Sequence, residues 1–177
     1  MRTHIVFTLT GTDRIGLVND VTELLLGLGG NVEISRMARL GGEFAVLMLV
    51  SLPAEHLARL DQAMQGLSDE GYKITVTQTE AESAGPAWRP YLIEVEGADH
   101  EGIIHDLAHQ LSARGINIEA MDTGTQPAPI SGTPLFTMSA RVAVPAALEA
   151  HADWKGALED AAQQLNVTIK ISAAQAQ

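Results

Sequence analysis

The sequence predicts an α+β protein of two similar domains, each a four-stranded antiparallel sheet with two helices on one face. Three observations predict it. First, the chain repeats itself. Residues 11–33 (GTDRIGLVNDVTELLLGLGGNVE) align with residues 97–119 (GADHEGIIHDLAHQLSARGINIE) at a constant offset of 86, and eight of the 23 positions are identical: Gly11/Gly97, Asp13/Asp99, Gly16/Gly102, Asp20/Asp106, Leu25/Leu111, Gly29/Gly115, Asn31/Asn117 and Glu33/Glu119. Four more exchange one aliphatic residue for another (Leu17/Ile103, Val18/Ile104, Val21/Leu107, Val32/Ile118). Second, each half shows apolar periodicity in the order strand, helix, strand, strand, helix, strand. Third, Gly41-Gly42 makes a tight hairpin between the second and third strands, which disfavours a parallel doubly wound sheet. So long a repeat is two whole domains rather than a solenoid. The boundaries read as residues 1–80 and 91–177, joined by a linker at 81–90, AESAGPAWRP, rich in small residues and proline.

Each element has a local reason. Ile5, Phe7 and Leu9 alternate with Val6, Thr8 and Thr10, a strand with one buried face. Leu17, Val18, Val21, Leu24, Leu25 and Leu28 form one helical stripe, which Gly29-Gly30 ends. A second strand runs from about Asn31 to Leu40, and FAVLMLVSL is the third. Pro53 opens a second helix carrying Leu57, Leu60, Met64 and Leu67. YKITVTQT, from Tyr72, is the fourth strand. In the second half, Tyr91, Ile93 and Val95 mark the first strand, and Ile103, Ile104, Leu107 and Leu111 stripe the first helix. NIEAMDTGT, a longer loop QPAPISGTP, and LFTMSARVAV follow. Trp154, Leu158, Ala161, Ala162 and Leu165 stripe the last helix, and VTIKI closes the domain.

Composition bounds the function. The 177 residues carry a formal charge of −11, with lysine only at 73, 155 and 170. So acidic a chain is repelled by phosphate backbones and anionic membranes, which argues against direct nucleic-acid or membrane binding. There is no cysteine, so disulfides, thiolate catalysis and cysteine metal sites are excluded. The N-terminal apolar run is too short for a signal peptide, and no stretch approaches the ~20 apolar residues of a membrane span. These features point to a soluble cytoplasmic protein. Two domains of about 85 residues have modest cores, so mutual packing or a homodimer is expected.

The repeated turns from first strand to first helix, Gly11–Gly16 and Gly97–Gly102, are the candidate binding loops. Such a turn aims unpaired N–H groups and the positive end of a helix dipole at one spot, which suits a carboxylate. Asn31 and Asn117 open the neighbouring strands, and their amides could accept from an ammonium. Together these groups can hold both ends of a free amino acid. The alternative is purely structural: Asp13 and Asp99 cap the helices, the glycines allow the turn, and the asparagines cap the turn after the helix. His105 and His109 have the spacing of a metal pair but lack a third ligand, so no metal is expected. Nor does any catalytic motif or cofactor site appear; Asp20/Asp106 and Glu33/Glu119 read as a solvated helix face and a strand end.

The third strands differ between the halves. Phe44, Val46, Met48 and Val50, and likewise Phe136, Met138, Ala140 and Val142, should face the helices. The opposite sheet face then carries Ala45, Leu47 and Leu49 in the first domain but Thr137, Ser139 and Arg141 in the second. A free antiparallel face is normally polar. The apolar one therefore predicts a homodimer contact or a protein partner, or else cover by the linker through Trp88.

The unit that opens with G-x-D-x-x-G and returns with G-x-N-[VI] resembles the ACT domain, a small-molecule regulatory module. Two such units with little else, opening on HIVFTLTGTDRIGLVNDVTELL, resemble the glycine cleavage system transcriptional repressor family. The resemblance runs from about Thr3 to Ser172 and implies a ferredoxin-like fold. It implies amino-acid binding at an interface between ACT units, carried here by Asp13, Ile15, Gly16, Leu17 and Asn31 and by Asp99, Glu101, Gly102, Ile103 and Asn117. Glu101 stands where Ile15 does, and its carboxylate would repel that of an amino acid. The resemblance further implies a non-enzymatic repressor, responsive to an amino acid such as glycine, that works through a DNA-binding activator. A regulatory subunit of an amino-acid biosynthetic enzyme is the alternative.

Overall fold

The computed structural model describes residues 1–79, 87–128, 132–151 and 153–175. The chain divides into two compact units, Met1–Ser83 and Ala84–Gln177. In the first, β1 (Arg2–Thr12), α1 (Leu17–Gly27), β2 (Asn31–Leu40) and β3 (Glu43–Pro53) lead through a 3-10 turn (Ala54–Arg59) to α2 (Leu60–Asp69) and β4 (Lys73–Thr79). The sheet order is β2-β3-β1-β4, with every neighbouring pair antiparallel. Gly41 and Gly42 turn the β2–β3 hairpin at φ +65° and +115°, angles that only glycine adopts freely.

Alternation decides which face is buried. Ile5, Phe7 and Leu9 of β1 and Val46, Met48 and Val50 of β3 are all 3% exposed or less. They close one core with Leu17, Val21, Leu25 and Leu28 beside α1 and Leu60, Met64 and Leu67 of α2. Burying each such side chain contributes about 1.5–3 kcal/mol relative to leaving it exposed. The helical stripe is narrower than its apolar residues suggest, since Val18 and Leu26 face out. The helix expected from Pro53 begins later, at Leu60; the residues after Pro53 wind first as a 3-10 turn with no buried side chain.

The second unit repeats the plan with β5 (Trp88–Ala98), α3 (Ile103–Ser112), β6 (Asn117–Pro127), β7 (Pro134–Pro145), α4 (Ala146–His151), α5 (Trp154–Gln164) and β8 (Val167–Ala173), in sheet order β6-β7-β5-β8. Its core gathers Tyr91, Ile93 and Val95, Leu107 and Leu111, Met138 and Val142, and Trp154 and Leu158. Three details differ from expectation. Trp88, Arg89 and Pro90, read as linker, form the start of β5, where Trp88 lies opposite Pro145. Residues 81–86 of that linker lie outside the described residues, and the carbonyl of Ala87 accepts from Ala146 N–H at 3.0 Å. The β6–β7 ladder extends to Pro127 opposite Pro134, so Gln126, Pro127 and Pro134 of the QPAPISGTP stretch belong to the hairpin strands. α4 is a short helix absent from the first unit; Glu149 on it accepts from Tyr91 Oη at 2.6 Å, which ties it to β5.

Candidate functional site

Gly11 and Gly97 sit one residue before the ends of the central strands, where no larger residue fits. A Cβ on Gly11 would lie 2.5 Å from the Tyr72 ring, and one on Gly97 would lie 2.7 Å from Val167 Cγ1 and 2.9 Å from its Cα. The loops that follow then rise into α1 and α3 through a left-handed glycine: Gly16 at φ +89° and Gly102 at φ +96°. These glycines, not Asp13 and Asp99, occupy the N-cap positions, and neither helix receives a side-chain cap. The cap role read for the two aspartates is thus corrected, because each carboxylate turns the other way. Asp13 meets Arg39 Nε at 2.9 Å, and Asp99 accepts from Thr125 Oγ1 at 3.4 Å. Residues 39 and 125 occupy the same place in the repeat, near the ends of β2 and β6. The loop backbone is held there as well: Asp13 N–H donates to Gly42 O, and Asp99 N–H to Pro134 O.

With no side-chain cap, the N–H groups of the first turn have no intrahelical acceptor; Leu17 N–H reaches Arg14 O at 3.4 Å, and each first turn carries its own carboxylate, Asp20 in α1 and Asp106 in α3. Ile15 is fully exposed at the loop tip and Glu101 is exposed in its place. Leu17 and Ile103 contribute backbone only, since both side chains are 2% exposed and belong to the cores.

Asn31 and Asn117 are exposed and sit elsewhere. Asn31 pairs with Ser51, which pairs with His4; Asn117 pairs with Ala143, which pairs with Pro90. Eight residues of the central strand separate each level from the loop end, about 26 Å at 3.3 Å per residue. The structure therefore brings Asp13, Ile15 and Gly16 together, and likewise Asp99, Glu101 and Gly102, but in neither unit does it bring the asparagine to the loop. The expectation that one unit's loop and asparagine hold both ends of a ligand is corrected. The helix between them carries the chain back to the far end of the sheet.

Two residues that sequence reasoning passed over brace these loops. Arg14 Nη1 donates to Asp20 at 2.7 Å and Nη2 to Glu70 at 3.0 Å, and the guanidinium lies 5.8 Å from the Tyr72 ring centroid. The Arg14 hydrogen bond holds the Asp20 carboxyl below its usual range. His100, at the equivalent position, reaches Leu165 O and Glu101 O. The offset of 86 already paired Arg14 with His100, both able to carry positive charge, and that was the available signal.

Arg14, Asp20 and Glu70 also rim a cavity of about 590 Å³ between α1 and α2, floored by Leu24, Leu28 and Leu67. His105 and His109 are exposed, with ring centroids 6.4 Å apart; among the described residues no three potential ligands cluster around a metal position. Among those residues, too, no helix is long and apolar enough to cross a membrane. On the open sheet face, Leu47, opposite Arg36 on β2, is 48% exposed and Ile34, opposite Leu49, is 55% exposed, whereas the second unit presents Thr137, Ser139 and Arg141.

Residues 3–77 match the ACT domain family model. The glycine cleavage system transcriptional repressor of Escherichia coli (strain K12) is 30% identical over 126 residues, which span 71% of this chain and 66% of the relative. The protein of the same description from Shigella flexneri matches equally. The chain thus aligns with just under two thirds of the length of these relatives. The crystal structure of an unknown protein from Galdieria sulphuraria superposes with a TM-score of 0.82 at 34% identity, covering 99% of this chain and 100% of that one. The crystal structure of a candidate glycine cleavage system transcriptional repressor gives 0.69 at 22% identity with 99% of both covered, a likeness of fold. Residues 3–77 thus form an ACT domain, the second unit repeats its βαββαβ plan, and the chain resembles the glycine cleavage system transcriptional repressors.

Proposed function

We propose that this protein is a non-enzymatic regulator that senses a small amino acid at its β1–α1 and β5–α3 loops and acts by contact on another protein. The observation that carries this reading is the repeated uncapped helix start beneath a left-handed glycine. Open N–H groups at that point suit a carboxylate. A carboxamide suited to the ammonium stands about 26 Å off in the same unit, so it can reach a loop's ligand only from another ACT unit. Binding then shifts a population of assembled states, with a coupling typically of about 1–3 kcal/mol. Glycine is the first ligand to test, given what the curated relatives are called. Glu101 makes the second loop the weaker anion site. A DNA-binding activator is the proposed partner, since a charge of −11 disfavours the protein's own contact with DNA.

Thermal shift against the twenty amino acids tests the sensing. A ligand at a hundred times its Kd is expected to add about 2.7 kcal/mol of stability. No shift with any amino acid would contradict the reading.

We further propose that Ala45, Leu47 and Leu49 form a homodimer face. Leu47→Lys places a charge in its middle and is expected to move the protein toward monomer in sedimentation velocity, with the fold retained by circular dichroism. An unchanged oligomeric state and unchanged partner binding would remove the face from consideration.

A further inference from the structure

The two loops are braced by different chemistry at one repeat position. Arg14 braces the first through carboxylates, and an arginine keeps its charge at every physiological pH. His100 braces the second. Its Nε2 lies 2.8 Å from the Leu165 carbonyl at the C-terminal end of α5, and its Nδ1 lies 2.9 Å from the Glu101 carbonyl within the loop.

Both partners of the ring are carbonyl oxygens, which only accept. A neutral imidazole has one N–H to give, so it can satisfy one of them; only the doubly protonated ring donates to both. The groups facing it favour that cation. Asp99 precedes it in the loop and Asp106 approaches from α3, while α5 presents the negative end of its dipole. The hydrogen bonds to Leu165 O and then Glu101 O raise the His100 pKa above its ordinary value of 6.5, and burial opposes them only in part.

We propose that His100 is a proton-operated latch: protonated, it ties the Asp99–Gly102 loop to the end of α5, and on losing its second proton it releases one of the two carbonyls and loosens the loop. The first unit has no such dependence, because Arg14 does not titrate in this range. His100 is thus a positioning residue. If the loops bind a ligand as proposed above, pH would tune the second site and leave the first alone. The latch itself does not rest on that reading, and its test uses no ligand.

The sign follows from a raised folded pKa. The latch's contribution is complete below the unfolded value of 6.5 and disappears as pH rises through the folded midpoint. The test is an NMR titration of the full-length protein from pH 5 to 9, following the His100 ring and the backbone amides of Glu101, Gly102 and Asn166. The ring is expected to titrate above 6.5, with the three amides moving at the same midpoint while those of Ile15 and Gly16 stay still. In His100→Arg, which copies the first unit's permanent cation, the three amides are expected to lose this titration and keep their low-pH positions. A His100 midpoint at or below 6.5, loop amides that do not follow it, or amides that still titrate in His100→Arg would each overturn the latch.

Discussion

Phe7→Ala is expected to destabilise the first unit by about 3–5 kcal/mol, the cost of truncating a fully buried aromatic side chain. Phe7 is 0% exposed. It lies on the central strand, opposite Met48 on one side and Val76 on the other, where no rearrangement at an edge can close the gap. A unit ending at Ser83 has roughly 4–12 kcal/mol of total stability by the usual per-residue range, so the substitution removes a large part of it. Both tryptophans, Trp88 and Trp154, belong to the second unit, so the first must be followed by circular dichroism or amide exchange during denaturant titration. A midpoint unchanged from the parent would contradict the placement of Phe7.

Trp154→Ala is expected to cost a similar ~3–5 kcal/mol, in the second unit. Its ring is 3% exposed and meets Tyr91 edge-on, with centroids 5.0 Å apart at 80°. Lys155 Nζ lies over both rings, 4.7 Å from the Tyr91 centroid and 5.6 Å from that of Trp154. Tyr91 in turn donates to Glu149, whose other oxygen meets Arg89 at 3.4 Å. Trp154 therefore joins the start of α5, the added helix α4 and the first residues of β5. The Asp153 side chain accepts from Gly156 N–H and survives the substitution, so the helix start remains and the loss is one of packing. The remaining Trp88, 41% exposed, reports the transition by fluorescence. A destabilisation under about 1 kcal/mol would show that this corner carries no core.

Most of the architecture was legible because alternation and helical periodicity are strong signals. Ile5, Phe7 and Leu9 could face only one way, and Gly41-Gly42 could only turn a hairpin. Start points were less legible. Pro53 is the last residue of β3 and precedes the 3-10 segment, a place that suits its fixed φ as well as the residue before an α-helix does. α4 has too few residues to display a period.

The site was half legible. The glycines of the loops are where the repeat placed them, but Asp13 and Asp99 resemble helix caps in any strand–helix junction, and their actual partners, Arg39 and Thr125, lie 26 residues away in sequence. Those partners share one repeat position, so a comparison extended past residue 33 would have exposed them. The separation of Asn31 from the loop was also available, because a helix running back along a sheet delivers the next strand to the opposite end. Side-chain reach from Arg14 to Glu70, across two elements, depends on how α1 and α2 pack and leaves no mark on the local sequence.

The most direct measurement is an NMR titration of the uniformly labelled protein with glycine, read at the amides of the two helix starts. Saturable shifts are expected at Gly16, Val18 and Asn19, accompanied by shifts at an asparagine, Asn31 or Asn117, that stands about 26 Å from the loop of its own unit. If glycine and the other nineteen amino acids leave these amides unmoved, or if the shifts gather elsewhere on the protein, the loops are structural turns and the sensing role is wrong.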